Sequence, residues 1–242
     1  MTPETDATAA PIQSFVPQPI PFIPYYQDEA VTIYNADCRK VLPWLGRFDL
    51  VLTDMPYGEV NRESSGLRNL DKRDADCETL HPFTLIDCVE ANVGGSIYVW
   101  CGMDQVSDLR KRMTHYGMTT RVCVWEKTNP SPMNGEHFWL SAVEVCAFGR
   151  KSHAPFNERC KSPVFRHPSG RDKIHPTEKP ESLFRELLVA SSDEGGSVLD
   201  PFMGSGTALA VAKVEGRKAV GIEINERYCE KAADRIRQGI LF

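Results

Sequence analysis

The stretch VLDPFMGSGTALAVAKVEGRKAVGIE (residues 198–223) decides the fold class. An apolar run leads into a glycine-rich turn. An alanine-rich stretch follows and ends at Gly216, and a second apolar run ends at Glu223. This order is typical of a strand, a tight turn, a helix closed by glycine and a second strand. A strand–helix–strand unit of this length predicts two parallel strands with the helix on one face of the sheet.

The same alternation extends through most of the chain. The predicted strands are 31–34, 48–53, 95–102, 118–127, 141–150, 196–200 and 218–224. The predicted helices are 38–45, broken near Pro43, then 82–93, 103–117, 180–192 with Pro180 in its first turn, 206–216, and 225–239 capped by Asn225. Alternating strands and helices predict an α/β fold with a doubly wound, mostly parallel sheet.

The predicted domain organisation is simple. Residues 1–27 are rich in Pro, Thr, Ala and Gln, which predicts a flexible tail before one domain at 28–242, and we expect FIPYY (22–26) to dock on that domain. A polar, charged loop is predicted at 58–78. The eight cysteines are scattered without Cys-x-x-Cys spacing, so we expect reduced thiols and no metal site. No apolar run is long enough to cross a bilayer, and the first basic residue is Arg39, so the expected location is the cytoplasm.

The charge distribution is uneven. The whole chain carries a net charge of −5, yet residues 150–174 carry seven basic and two acidic residues, a net charge of +5. Prolines and a glycine in this segment predict an irregular projecting loop. A basic loop can be merely solvated, but a local positive patch can also bind nucleic acid in a protein of negative total charge.

The turn at 199–207 indicates a nucleotide-type ligand. Gly204 and Gly206 would let the backbone approach a ligand at the start of a helix, and Glu223 follows at about the 20-residue offset at which a carboxylate reaches ribose hydroxyls. A dinucleotide fingerprint would have glycine where Leu209 stands, and no Gly-Lys-Ser/Thr is present. An adenosine-containing ligand without a pyrophosphate fits better, although a bare Gly-x-Gly is also common in ordinary turns.

Two further motifs end or begin predicted elements. TDMPYG (residues 53–58) follows the apolar run FDLVL, and HPTEKP (residues 175–180) precedes a helix. Both can be plain turns, since Pro, Gly, Asp and Thr favour such positions. The functional interpretation of the first is a pocket for a flat polar ring, and that of the second places Thr177 and Lys179 at the mouth of the same pocket.

Together, DMPY, DPFMGSGT and HPTEKP resemble the motifs of DNA amino-methyltransferases, which methylate exocyclic base nitrogens with S-adenosylmethionine. The catalytic motif precedes the cofactor motif, which resembles the β class, a circular permutation of the methyltransferase fold. The resemblance covers about residues 28–240, and VWEKTNPSP (124–132) adds to it. Met55 departs from the family, which most often has Pro at that position.

The resemblance implies a role for each matching residue. The implied catalytic residues are Asp54, Met55, Pro56 and Tyr57. The implied cofactor-binding residues are Asp37, Thr177, Lys179, Asp200, Phe202, Gly204, Ser205, Gly206, Thr207 and Glu223. The region before HPTEKP is where the β class carries its target-recognition residues, so the implied DNA-binding residues are Arg159, Lys161, Arg166, Arg171 and Lys173.

The expected activity is methyl transfer to N6 of adenine in double-stranded DNA, by base flipping and direct transfer, as in restriction-modification systems. Asp at position 54 favours adenine, because the related cytosine-N4 enzymes more often carry Ser there. The alternatives are a cytosine-N4 enzyme, an RNA or protein methyltransferase, and an inactive DNA-binding relic. The expected partner is double-stranded DNA. A homodimer is an additional expectation, and no association with a membrane is expected.

Overall fold

The computed structural model describes residues 20–55, 80–132, 135–170 and 178–239. Within them one sheet contains nine strands. The strands are β1 (Tyr26–Gln27), β2 (Val31–Asn35), β3 (Phe48–Asp54), β4 (Val93–Cys101), β5 (Thr119–Lys127), β6 (Val143–Arg150), β7 (Val164–His167), β8 (Ser197–Asp200) and β9 (Lys218–Glu223). Their order across the sheet is β1-β2-β9-β8-β3-β4-β6-β5-β7.

The pairing is parallel through the centre of the sheet. β2, β9, β8, β3 and β4 are mutually parallel neighbours. β6 is antiparallel to both β4 and β5, and the edge strand β1 is antiparallel to β2. The predicted mostly parallel α/β sheet is therefore confirmed.

Helices cover both faces of the sheet. The helices are α1 (Cys38–Val41), α2 (Pro82–Val89), α3 (Val106–His115), α4 (Glu181–Ser191), α5 (Thr207–Val214) and α6 (Glu226–Gln238). Side chains alternate along β3, so Leu50 and Leu52 pack with α4, α5 and α6, while Val51 packs with α1, α2 and α3. Both faces are thus buried, which explains the continuous apolar run FDLVL.

The chain reverses its direction of travel across the sheet between β8 and β3. From β8 it moves outward to β9, whereas from β3 it moves the other way to β4. In doubly wound sheets, ligands bind in the crevice beside strand carboxyl ends at such a switch point. The ends of β3 and β8 at this crevice are Asp54 and Asp200.

Several local predictions need correction. Tyr26–Gln27, placed in the predicted tail, form β1, whereas the packing of Phe22 against the core agrees with the expectation that FIPYY (22–26) docks on the domain. The segment predicted as an irregular projecting loop contains β7, which extends the sheet beside β5. Pro180 is the N-cap residue of α4 rather than part of its first turn. The predicted loop at 58–78 lies outside the described residues.

The remaining elements match their predictions closely. Gly117 and Gly216 take positive φ angles of 76° and 74° after α3 and α5, as expected for helix-closing glycines. The Asn225 side chain accepts a hydrogen bond from Arg227 N and caps α6. Among the described helices, none combines the length and apolar character needed to span a membrane.

Candidate functional site

A buried carboxyl joins the two strands at the switch point. Asp200 is only 3% exposed at the end of β8, and its Oδ1 accepts hydrogen bonds from Thr53 Oγ1 at 2.7 Å and from Phe202 N at 3.1 Å. Burial raises the pKa of this carboxyl to about 7, and the two hydrogen bonds act in the opposite direction. Asp200 therefore ties the strand before the DMPY motif to the turn that follows β8.

Two glycines give that turn its shape. Gly204 and Gly206 have φ angles of 50° and 78°, a region that side chains other than glycine rarely adopt. A Cβ on Gly206 would lie 2.8 Å from the Ala232 Cβ, so this glycine lets α5 approach α6. A Cβ on Gly204 would meet no atom within 4 Å. Gly206 thus serves packing, whereas Gly204 borders open space.

Glu223 stands beside that open space at the end of β9. Its Oε2 accepts from Gly204 N at 3.1 Å and its Oε1 from Asn225 N at 2.8 Å. Burial raises the pKa of the Glu223 carboxyl, while the two amides act in the opposite direction. Each carboxylate oxygen has two acceptor sites, so the group can hold further donors such as a ribose diol. The open cradle at Gly204 next to this acceptor fits the adenosine-containing ligand that the sequence predicts.

The neighbouring strand end carries Asp37. Ala36 N donates to Glu223 O at 3.0 Å, which places the β2 end beside the β9 end. The Asp37 side chain caps α1 by accepting from Arg39 N at 2.9 Å, and Arg39 Nη2 lies 2.6 Å from its Oδ2. The ion pair with Arg39 lowers the pKa of Asp37 more than burial raises it. Its implied contact with an adenine amino group stays a prediction.

Asp54, at the end of β3, pairs with a buried lysine that lies two residues before α4 begins. Lys179 Nζ donates to Asp54 Oδ2 at 2.5 Å, and the lysine side chain is 1% exposed. Met55, directly after Asp54, is buried, and its amide donates to Trp100 O at 3.2 Å. The structure places the Lys179 ammonium on Asp54, and the implied contact of Lys179 with a cofactor carboxylate stays a prediction.

Sequence reasoning missed two charged residues of the candidate site, and the first contacts Lys179. Glu144 on β6 has its Oε2 3.2 Å from Lys179 Nζ and its Oε1 2.8 Å from Lys127 Nζ, at the end of β5. Burial alone would raise the pKa of Glu144, but the ammonium groups of Lys179 and Lys127 outweigh burial and lower it. The signal that could have found Glu144 is a lone acid in the otherwise apolar strand AVEVCAF.

The second missed residue is Arg235 on α6, whose guanidinium contacts Thr207, the residue directly after the glycine turn. Its Nη1 donates to Glu178 Oε1 at 2.6 Å and to Thr207 Oγ1 at 3.1 Å, and its Nη2 contacts Glu181. The two carboxylates raise the pKa of the arginine, although burial acts against them. This cluster joins the start of α4 to the start of α5, and so joins HPTEKP to the glycine turn. Ser205 beside it is buried.

The proposed DNA-binding residues are only partly described. Lys161 and Arg166 are exposed but paired, Lys161 Nζ with Glu158 Oε2 at 2.7 Å and Arg166 Nε with Glu126 Oε2 at 2.9 Å. Arg159 is exposed in the same segment. The segment also packs on the domain, since Asn157 N donates to Ala190 O at 2.8 Å. Of the predicted site residues, Pro56, Tyr57, Arg171, Lys173 and Thr177 lie outside the described residues.

The described residues contain no group of three or more His, Cys, Asp or Glu side chains that could hold a metal ion. The site is instead a set of carboxylates at strand ends, each held by backbone amides or by cations. Backbone amides, carboxylates and an open glycine turn are suited to a polar organic ligand.

Comparisons with known proteins find sequence similarity to DNA methylases. Residues 156–234 match a sequence family described as DNA methylase. The type II methyltransferase M2.LlaDCHI of Lactococcus lactis subsp. cremoris is 25% identical over 252 residues, which cover 90% of this chain and 94% of that protein.

Two solved structures share the fold. The M1.HpyAVI–SAM complex is 23% identical, with a TM-score of 0.69, covering 85% of this chain and 99% of that one. The cytosine-N4-specific PvuII DNA methyltransferase is 17% identical, with a TM-score of 0.70, covering 88% of this chain and 89% of that one.

Proposed function

We propose that this chain is a DNA amino-methyltransferase of the N6/N4 type, a proposal supported by its similarity to the DNA methylase family and to M2.LlaDCHI. Its proposed reaction is methylation of the N6 amino group of adenine in double-stranded DNA, with S-adenosylmethionine as the donor. The observation that carries the proposal is the meeting of two halves of a site at the switch point. The end of β3, with Asp54, is bonded through Thr53 to Asp200, which opens the glycine turn.

The glycine turn and the ends of β8 and β9 would hold the cofactor. In this proposal the Glu223 carboxylate accepts hydrogen bonds from the ribose hydroxyls. The open space at Gly204 lets the ligand lie close to the backbone. The rest of the proposed cofactor-binding set is Asp37, Thr177, Lys179, Asp200, Phe202, Ser205, Gly206 and Thr207. When bound, S-adenosylmethionine supplies an electrophilic methyl group.

Asp54 would act on the target amino group. The nitrogen of an exocyclic amine is a weak nucleophile because its lone pair is delocalised into the ring. The Asp54 carboxylate accepts one N–H, and the backbone carbonyl of Met55 or of the next residue accepts the other. Two fixed acceptors stabilise positive charge as it develops on nitrogen, which lowers the barrier. Because a backbone carbonyl does part of this work, Met55 is compatible with activity.

DNA would approach the carboxyl-terminal edge of the sheet, where Asp54 lies. A base that is stacked in a duplex cannot place its amino group against Asp54, so the target must leave the stack at a cost of about a few kcal/mol. β5 ends and β6 begins at this same edge, and between these two strands Phe138 and Trp139 are 78% and 94% exposed. Aromatic side chains of this kind can stack on bases. Lys161 and Arg166 would exchange their carboxylate partners for phosphates.

A second activity has its own support. The TM-score with the enzyme described as cytosine-N4-specific is 0.70, against 0.69 with M1.HpyAVI. The same two acceptors would also activate the amino group of cytosine. Asp rather than Ser at position 54 favours adenine. The β-class permutation, a homodimer and a cytoplasmic location stay predictions.

The test is a direct identification of the product. The protein is incubated with S-adenosylmethionine and duplex DNA, the DNA is digested to nucleosides, and the methylated base is identified by mass spectrometry. N6-methyladenine supports the proposal, N4-methylcytosine supports the second activity, and the absence of any methylated base would contradict both.

A further inference from the structure

We propose that Glu144 is a positioning residue for methyl transfer, which holds the Lys179 ammonium against the Asp54 carboxylate. The proposal rests on the proposed function, because it takes Asp54 as the group that accepts the target amine. No motif in the sequence includes Glu144, and its place in the site follows from contacts between four separate parts of the chain.

The pairing of β3 with β4 and of β4 with β6 brings these residues together. Asp54 on β3 lies opposite Trp100 on β4, and Trp100 lies opposite Cys146 on β6. Glu144 lies two residues from Cys146, so it points to the same face of the sheet and stands nearer the carboxyl-terminal edge of β4. Lys179 lies over the buried Trp100 ring, with its Nζ 5.8 Å from the ring centroid.

A second lysine flanks Glu144 on its other side. Glu144 lies opposite Trp125 on β5, and Lys127 follows two residues later with its Nζ 5.3 Å from the Trp125 ring centroid. The ion pairs therefore form a chain from Lys127 to Glu144, to Lys179 and to Asp54, with N–O distances of 2.8, 3.2 and 2.5 Å. Two ammonium groups and two carboxylates balance in charge.

The burial of Lys179 explains why this chain matters. An ammonium that is 1% exposed has lost its hydration, so it is stable only beside fixed anions. Glu144 supplies one anion from a rigid strand, and Lys127 holds Glu144 in place from the next strand. With Glu144 present, the position of Lys179 is set by the sheet, and Lys179 in turn orients the Asp54 carboxylate. Without Glu144, the ammonium has a neutral neighbour and can turn away from Asp54.

The kinetic experiment uses the full chain with Glu144→Gln, which keeps shape and removes charge. We expect kcat to fall roughly 10- to 100-fold, because small misplacements of a reacting group have effects of this size. The KM values for S-adenosylmethionine and DNA should stay as in the wild type. Glu144→Asp, which keeps the charge, should recover part of the loss.

The matched control is Glu90→Gln. Glu90 is also a carboxylate paired with a lysine, at 3.3 Å from Lys151, and its side-chain exposure of 27% is close to the 29% of Glu144. It lies before β4, at the other edge of the sheet. The kcat of the Glu90→Gln variant should equal that of the wild type. An unchanged kcat for Glu144→Gln, or a change in KM alone, would overturn the proposal.

A double-mutant cycle tests whether Glu144 acts through Lys179. In a Lys179→Met background, measured in single turnovers, Glu144→Gln should cost no further rate. The free energies of unfolding of the same variants should also be non-additive, and this second measurement does not depend on activity. Full additivity in both would overturn the proposal. If the wild type and Glu90→Gln methylate DNA while Glu144→Gln equals them, the proposed function stands and this inference fails. If the wild type methylates nothing, the proposed function fails, and the unfolding cycle still decides whether Glu144 holds Lys179.

Discussion

The two halves of the site are built in different ways. The proposed cofactor half, apart from Asp37, lies within residues 200–223 at the ends of β8 and β9. Asp200 and Glu223 accept hydrogen bonds from backbone amides of this same segment. The proposed catalytic half joins Asp54 to Lys179, 125 residues away, and Lys179 to Glu144 through side-chain ion pairs. Hydrogen bonds from a tight turn are local and rigid, whereas the ion pairs depend on the packing of β3, β5, β6 and the start of α4. Each half should therefore respond differently to substitution.

The largest expected effect is a pH dependence in the cofactor half. The pKa of Asp200 rises from 3.8 to about 7 on folding, so between these values the folded state binds a proton that the unfolded state has released. The contribution of Asp200 to the free energy of unfolding therefore falls as pH rises through this window. The full loss is on the order of 4 kcal/mol at about 1.4 kcal/mol per unit. Asp200→Asn keeps an acceptor for Thr53 and Phe202 but cannot ionise.

Denaturant unfolding at a series of pH values measures this difference. The stability of the wild type relative to Asp200→Asn should fall between pH 4 and pH 7 and then level off. A constant difference across that range would show that Asp200 is not desolvated as the structure indicates.

The next effect concerns cofactor affinity. Glu223→Ala should weaken binding of S-adenosylmethionine, because each hydrogen bond to a charged acceptor contributes about 1.5–3 kcal/mol. Calorimetry without DNA measures the loss, and Glu230→Ala, an exposed acid on α6, is the control. Equal affinities for both variants would remove Glu223 from the site.

Alanine substitutions at the two glycines of the turn should have different effects, one on stability and the other on cofactor binding. Gly206→Ala adds backbone strain and a Cβ 2.8 Å from Ala232, so it should lower the free energy of unfolding by about 1–3 kcal/mol more than Gly204→Ala. Gly204→Ala, with open space around the new Cβ, should weaken cofactor binding. Equal destabilisation by both would contradict the distinct roles assigned to the two positions.

The smallest effect concerns DNA. Lys161→Ala should reduce the salt slope of DNA binding by about 0.9 if this lysine contacts one phosphate. Lys111→Ala is a matched control, since both lysines are exposed and pair with an acid three residues away. An unchanged slope for Lys161→Ala would place the DNA away from this residue.

The contrast between the halves also explains what the sequence could predict. The glycine turn, Glu223 and the capped helices could be read from local patterns, because the residues that define them are neighbours in the chain. The short edge strands β1 and β7 were not predicted, since two- and four-residue strands among prolines leave no periodicity to detect. The role of Glu144 could not be predicted, because only the pairing of β6 with β4 and β5 brings it to Lys179.

The central claim is that Asp54 acts in methyl transfer and not in cofactor binding. Asp54→Ala separates the two when cofactor affinity is measured by calorimetry and methyl transfer is measured in single turnovers with saturating cofactor and DNA. We predict an unchanged affinity and a rate reduced by about 10²- to 10³-fold, the loss typical of a group that stabilises transition-state charge. A rate close to that of the wild type would contradict the mechanism.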